Sequence, residues 1–268
     1  MNDLGYHEDG PRRGIPLVLL HAFPFDHRMF TAMVDELSDV RTIAFDAPGF
    51  ADAATPRMVA ERIKTGAYGL ELYADAVAAS LADEGIERAV IAGVSMGGYT
   101  ALALAERHPD LTAGLALIDT KASADDDVAA ENRRTMADEA SRGVSTGLRN
   151  MAGKVLSDKT KDERPEMFTQ VVKWIGQAPF AGIAWAQESM ADRPARLHVL
   201  KKLDVPAVVV RGEDDELSSH ADHAEMADAL GCEVQTIEGA GHLAPYEQPA
   251  AVARVLRELM SRVEAPAT

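Results

Sequence analysis

The segment Gly93-Val94-Ser95-Met96-Gly97 constrains this chain more than any other stretch of it. Before it, Arg88-Ala89-Val90-Ile91 opens an apolar run that reads as a buried strand. After it, Met96 to His108 is rich in Ala and Leu, has helical periodicity and stops at Pro109. A Gly-x-Ser-x-Gly between strand and helix marks a sharp turn in which the serine is held in a strained backbone conformation and small neighbours are required. Gly93 and Gly97 supply that room, and Gly98 extends it. The turn presents Ser95 Oγ at a helix N-terminus, where the macrodipole favours developing negative charge.

A serine hydroxyl is a weak nucleophile until a histidine takes its proton, and that histidine needs a carboxylate to fix its tautomer. Both residue types follow in the chain. Pro206 to Val210 reads as a buried strand running into Arg211-Gly212-Glu213-Asp214-Asp215-Glu216. An acid just beyond a strand's carboxyl end points at the site of an open α/β sheet. Asp215 is favoured, being three residues past Gly212. Asp214 competes with it, and Asp119, after the strand Ala113 to Ile118, is a third candidate whose plainer role is a loop cap. Glu233 to Ile237 reads as another strand, ending in the loop Glu238-Gly239-Ala240-Gly241-His242, which swings His242 back over the sheet. His21 fits a structural role in the loop after the strand Ile15 to Leu20. His220 and His223, at i and i+3 with Asp222 between them, offer half a metal site without further ligands and fit a solvated helix face better. An oxyanion needs two preorganised N–H donors. Met96, directly after the serine, supplies one. In His21-Ala22-Phe23-Pro24 the second is the amide of Phe23, since Pro24 has none.

With these residues in place, the chain resembles the α/β-hydrolase superfamily, in particular its cap-bearing carboxylesterase and 3-oxoadipate enol-lactonase-like branch. The resemblance runs from Ile15 to about Val263. It rests on His21 to Pro24, Asp46-Ala47-Pro48-Gly49-Phe50, Gly93 to Gly98, Gly212 to Asp215 and Gly241-His242. It implies Ser95 as nucleophile, His242 as base, Asp215 as acid, and Phe23 with Met96 as oxyanion donors. Three departures stand out: Ala22 where the family usually has Gly, Phe50-Ala51-Asp52 after Gly49, and Ser218-Ser219 after the acid. A serine at the elbow excludes the haloalkane dehalogenases and epoxide hydrolases, which need a carboxylate there.

The formal net charge of −16 argues against a nucleic-acid partner, whose phosphates demand the opposite sign. Residues 121–196 hold 12 basic and 12 acidic side chains, which leaves 27 − 12 = 15 basic against 43 − 12 = 31 acidic in the remainder. The excess acid therefore lies outside that segment, as a solubilising surface. No run of 18 apolar residues suggests a membrane span, and the first residues lack a signal-peptide pattern. The lone Cys232 forbids an internal disulfide, and a cytoplasmic protein is expected.

Alternating strands and helices predict an α/β fold, a doubly wound, mostly parallel sheet. Strands are expected at Ile15–Leu20, Arg41–Phe45, Arg88–Val94, Thr112–Ile118, Pro206–Arg211 and Glu233–Ile237, with an antiparallel edge strand within the first ten residues. Helices are expected near Met29–Leu37, Glu71–Glu84, Met96–Arg107, Ala221–Leu230 and Pro249–Val263. The rhythm breaks at residues 121–196, which are largely helical in pattern with no convincing strand, with helices expected at Asn132–Ser141, Thr146–Leu156, Pro165–Gln177 and Ala181–Met190. The expectation is a core of residues 1–120 and 197–268 with a helical cap, 121–196, inserted over Ser95. Met151, Trp174, Phe180 and Trp185 are candidate pocket residues of that cap, and Asp125-Asp126-Asp127 reads as a solvated loop or helix start. The expected activity is hydrolysis of a small carboxylic ester or lactone with no cofactor or metal. The rivals are an anionic enol-lactone held by a cap cation, carbon–carbon bond hydrolysis, perhydrolysis or acyl transfer, and a non-catalytic binding protein on the same fold.

Overall fold

Four of the strands bury every residue, which only a sheet covered on both faces allows. A computed structural model describes residues 4–144 and 146–264. It places β1 (Tyr6–Asp9), β2 (Leu17–Leu20), β3 (Thr42–Phe45), β4 (Ala89–Val94), β5 (Thr112–Ile118), β6 (Ala207–Gly212) and β7 (Val234–Ile237) in one sheet, ordered β1-β3-β2-β4-β5-β6-β7. All neighbours are parallel except β1, which pairs antiparallel with β3 as the expected edge strand. The chain winds outward from β2 to β3, then returns to the other side of β2 as β4. Loops leaving β2 and β4 therefore diverge, and the crevice between them is where ligands of such sheets gather. Leu20 and Gly93 are register partners there, so His21 and the Ser95 turn emerge side by side.

Helices α1 (Thr31–Asp35), α2 (Pro56–Ile63), α3 (Gly69–Asp83) and α4 (Met96–Arg107) precede β5. Between β5 and β6 the helices are α5 (Asp127–Ser141), α6 (Thr146–Met151), α7 (Asp158–Glu163), α8 (Pro165–Gln177), α9 (Phe180–Ala191) and α10 (Leu197–Leu200). The chain closes with α11 (His220–Leu230), α12 (Ala244–Glu247) and α13 (Pro249–Glu264). α13 buries Val252, Ala253, Leu256, Leu259 and Met260, the three-and-four spacing of an amphipathic helix on a sheet. Within the insertion between β5 and β6, α5 packs on α9. It buries Ala130, Ala137 and Ala140, whose small side chains let the two backbones approach.

Two local differences from expectation have plain causes. α2 has no counterpart among the expected helices, although Thr55 caps it by accepting from Met58 N–H and Pro56 occupies its first turn. The helix expected over 146–156 ends at Met151 and tightens into a 3-10 turn, Ala152–Lys154, where Gly153 weakens the helical backbone. Among the described residues, no helix is long and apolar enough to cross a membrane.

Candidate active site

Ser95 has φ 52° and ψ −113°, a region that non-glycine residues avoid. The turn is locked from both sides: Ser95 N–H donates to Ile118 O at 3.0 Å, and Thr120 Oγ1 donates to Ser95 O at 2.8 Å. A Cβ on Gly93 would lie 2.2 Å from Gly97 O, and one on Gly97 would lie 2.0 Å from Leu20 O. The glycine spacing is thus a steric requirement of the turn. Met96 is the first residue of α4, so its N–H is among those a helix start leaves without an intrahelical acceptor.

His242 and Asp215 reach this serine from two separate loops. His242 Nε2 lies 2.8 Å from Ser95 Oγ, and its Nδ1 lies 2.9 Å from Asp215 Oδ1. The carboxylate accepts from Nδ1–H, which leaves the Nε2 lone pair for the serine proton. Asp215 Oδ1 also accepts from the N–H groups of Leu217 at 2.8 Å and Ser218 at 3.2 Å, and the Ser218 hydroxyl donates to Oδ2. Burial alone raises the Asp215 pKa, but His242 and these donors outweigh it and hold the carboxyl at about 2. The Ser218 that departs from the family pattern therefore helps to seat the Asp215 carboxylate.

The competing acids are placed differently. Asp214 is exposed. Asp119 is wholly buried; it accepts from Gly212 N–H at 2.7 Å and Ala244 N–H at 3.1 Å, and so ties the Asp215 loop to the His242 loop. Burial, with Asp215 nearby, pushes its carboxyl well above the usual range. His21 is buried, with Nδ1 donating to Ala22 O at 2.9 Å and Nε2 accepting from Ala47 N–H at 2.9 Å, a structural role in its loop. Phe50, the second departure, packs edge-on against His21 and Phe23.

His223 does not sit on a solvated face. It is buried, its Nδ1 donating to Ser219 O at 2.8 Å, and burial lowers its pKa. Donor atoms of Asp119, Asp215 and His223 lie within 4.8 Å of one another, as do those of Asp26, His27 and Asp46. In the first set both carboxylates already serve as acceptors within the two loops. In the second, Asp26 takes Arg28 at 2.8 and 2.7 Å while Asp46 takes His27 Nδ1 at 2.9 Å.

A cavity of about 300 Å³ opens on Ser95 and His242, lined by Phe23 and Tyr99 from the core and Arg133, Met136, Met151 and Gln187 from the insertion. Of the four pocket candidates, only Met151 lies in this wall. Trp174 packs edge-on against Phe25 and Tyr246, with centroids 6.2 and 5.1 Å apart. Phe180 opens α9 and is 43% exposed. Trp185 is buried away from the cavity lining, packed within the core cluster. Size and apolarity suited the two tryptophans to packing between elements, whereas Phe180 stays largely at the surface.

Arg133 is the residue that sequence reasoning missed. Its Nε donates to Asp125 Oδ2 at 2.5 Å and its Nη1 to Gln187 Oε1 at 3.3 Å. Asp125 also takes Arg193 at 2.8 Å and Lys121 at 3.2 Å. Three cations thus face one buried carboxylate. Despite its burial, Arg193 and Arg133 hold it far below the usual range. Asp125 is therefore no solvated loop charge, whereas Asp126 does cap α5 through Ala129 N–H at 2.7 Å. Arg193 in turn lies 4.0 Å over the ring of Tyr99, and Arg133 is the member of this cluster that lines the wall.

Comparison with known proteins agrees with this architecture. The chain is 32% identical to a thermophilic esterase from Thermogutta terrifontis, whose malate-bound structure superposes with a TM-score of 0.89 over 98% of this chain and 94% of that one. The enol-lactonase from Burkholderia xenovorans LB400 shares the fold at 23% identity, with a TM-score of 0.80 over 96% of both chains. By sequence, 3-oxoadipate enol-lactonase 2 of Acinetobacter baylyi is 23% identical over 220 residues, 82% of this chain and 78% of that protein. A family model described as "Alpha/beta hydrolase family" matches residues 17–255, which takes in β2 through the first turns of α13 and every loop that meets at Ser95. The chain belongs to the alpha/beta hydrolase family.

Proposed function

We propose that this protein is a serine hydrolase of small carboxylic esters or lactones, acting through an acyl-enzyme on Ser95. The observation that carries the reading is the unbroken chain from Asp215 to His242 to Ser95, at 2.9 and 2.8 Å. Ser95 Oγ attacks the carbonyl carbon while His242 Nε2 takes its proton, and Asp215 stabilises the resulting imidazolium. The backbone N–H groups of Phe23 and Met96 hold the developing oxyanion, each contributing on the order of 3 kcal/mol to transition-state stabilisation. His242 returns the proton to the leaving alkoxide, then activates water to release the acid. Incubation with p-nitrophenyl acetate and an organophosphonate tests this. Turnover should accompany stoichiometric labelling of Ser95, and labelling elsewhere would refute the assignment.

A second reading names the substrate more closely: an ester or lactone that carries its own carboxylate. Arg133 in the cavity wall, within a cluster of three cations on Asp125, favours it, as does the binding of malate by the Thermogutta esterase. A charge-assisted hydrogen bond contributes about 1.5–3 kcal/mol. Arg133→Met should therefore reduce the preference for a succinate monoester over the matching acetate ester by about 10- to 100-fold in kcat/KM. Equal loss on both substrates would make Arg133 a structural residue.

A further inference from the structure

His242 lies in the loop between β7 and α12, and the helical insertion holds the chain on both sides of it. Glu247, the last residue of α12, is wholly buried. Its Oε1 accepts from Gly241 N–H at 2.7 Å, directly before His242. Its Oε2 accepts from the N–H and the hydroxyl of Ser157, both at 2.9 Å. Ser157 belongs to the insertion, where it caps α7 by accepting from Thr160 N–H. The Ser157 hydroxyl has one proton and several oxygens within reach, and the carboxylate is the strongest acceptor among them.

Two further contacts tie α12 to the insertion. Arg164 Nη1 donates to Glu247 O at 2.7 Å, and the Tyr246 ring packs edge-on against Trp174 of α8. Where the two segments meet, a Cβ on Gly241 would lie 2.6 Å from Ser157 N and 2.8 Å from Leu156 C. The backbone before His242 thus rests directly on the backbone of the insertion. Val155 and Met151, just upstream of Ser157, line the cavity over Ser95.

We propose that Glu247 is a positioning residue that makes the alignment of His242 depend on the seating of the insertion over the site. One carboxylate grips both the residue preceding the imidazole and the segment that continues into the cavity wall. If Leu156–Ser157 moves away, Gly241 loses its fixed acceptor and His242 Nε2 drifts from Ser95 Oγ. The base is then competent only beneath a seated cover, so hydrolysis is confined to a closed cavity. This inference rests on the reading of His242 as the general base.

Ser157→Ala, Glu247→Gln and Glu247→Ala weaken the grip in increasing degree. Glu247→Gln keeps one acceptor oxygen but turns an NH2 toward one of its two N–H partners, so one tether is lost. Hydrogen exchange reads the coupling without any substrate. In Ser157→Ala, a change confined to the insertion, the amides of 241–243 should exchange about fivefold faster, the effect of one lost hydrogen bond. Unchanged protection there overturns the proposal.

With p-nitrophenyl acetate, kcat per phosphonate-titrated site in Glu247→Ala should fall about 10- to 100-fold, as expected for a base displaced by up to an ångström, with KM within about twofold. Glu247→Gln should fall between it and wild type. A lower melting temperature with unchanged kcat per titrated site marks a structural role only and equally overturns the proposal. Should Glu247→Ala not fold, Ser157→Ala and Glu247→Gln still decide. Failure of the wild-type protein to take the phosphonate strikes the Ser95 reading instead, and the exchange result on the tether stands apart from it.

Discussion

Replacing Ser95 by alanine is expected to lower kcat by about 10⁴- to 10⁶-fold and to abolish organophosphonate labelling, with KM little changed. The size follows from what is lost. Without Oγ no acyl-enzyme forms, and His242 and Asp215 have no proton to move, so only the oxyanion donors and the cavity remain to assist water. The φ of 52° at this position strains alanine much as it strains serine, so the variant should fold and its melting temperature stay near wild type. A folded Ser95→Ala protein with more than a few per cent of wild-type turnover would place the nucleophile elsewhere.

Asp215→Asn carries the second largest effect, a fall of about 10⁴-fold in kcat. An amide NH2 facing Nδ1 forces the imidazole into the tautomer with its proton on Nε2, which cannot accept from Ser95. The same residue has a signature in stability. The Asp215 carboxyl is held at about 2, below its ordinary value of 3.8. A depressed folded-state value stabilises the protein above pH 3.8, and that contribution disappears as the pH falls through 2. It amounts to about 2 kcal/mol. Thermal melts of wild type should fall more steeply between pH 5 and pH 2 than those of Asp215→Asn. Parallel curves would show that Asp215 is not the buried partner of the imidazole.

Much of this site is legible in the chain because its demands are local. The elbow needs its glycines within two residues of Ser95, and the reason is steric: the neighbouring backbone lies closer than any Cβ could tolerate. The order of strands and the residues at their carboxyl ends are local too, which is why Asp215 and His242 can be picked out before any contact between them is known. The preference for Asp215 over Asp214 and Asp119 rests on three residues of loop length; in the fold Asp215 Oδ1 lies 2.9 Å from His242 Nδ1.

The insertion was harder to read, and for a physical reason. Apolar residues at helical spacing announce burial without naming the surface they are buried against. Trp174 and Trp185 meet that description as well as Met151 does, yet only Met151 reaches the cavity. Charged residues mislead in the opposite sense. In the sequence Asp125 is one of three consecutive acids and Arg133 one of several scattered cations. In the fold they form a partly buried pair beside the cavity because α5, α9 and the turn after α9 bring Arg133, Gln187 and Arg193 together.

What the sequence by itself determined is the α/β framework, the turn at Ser95 and the candidates for a proton relay, all set by short-range sterics and by period. Only the tertiary structure decided which groups shape the cavity, where its positive charge lies and that Glu247 joins the insertion to the loop of His242. Those depend on contacts such as Ser157 with Glu247, 90 positions apart. Packing alone brings such residues together, and no local pattern records it.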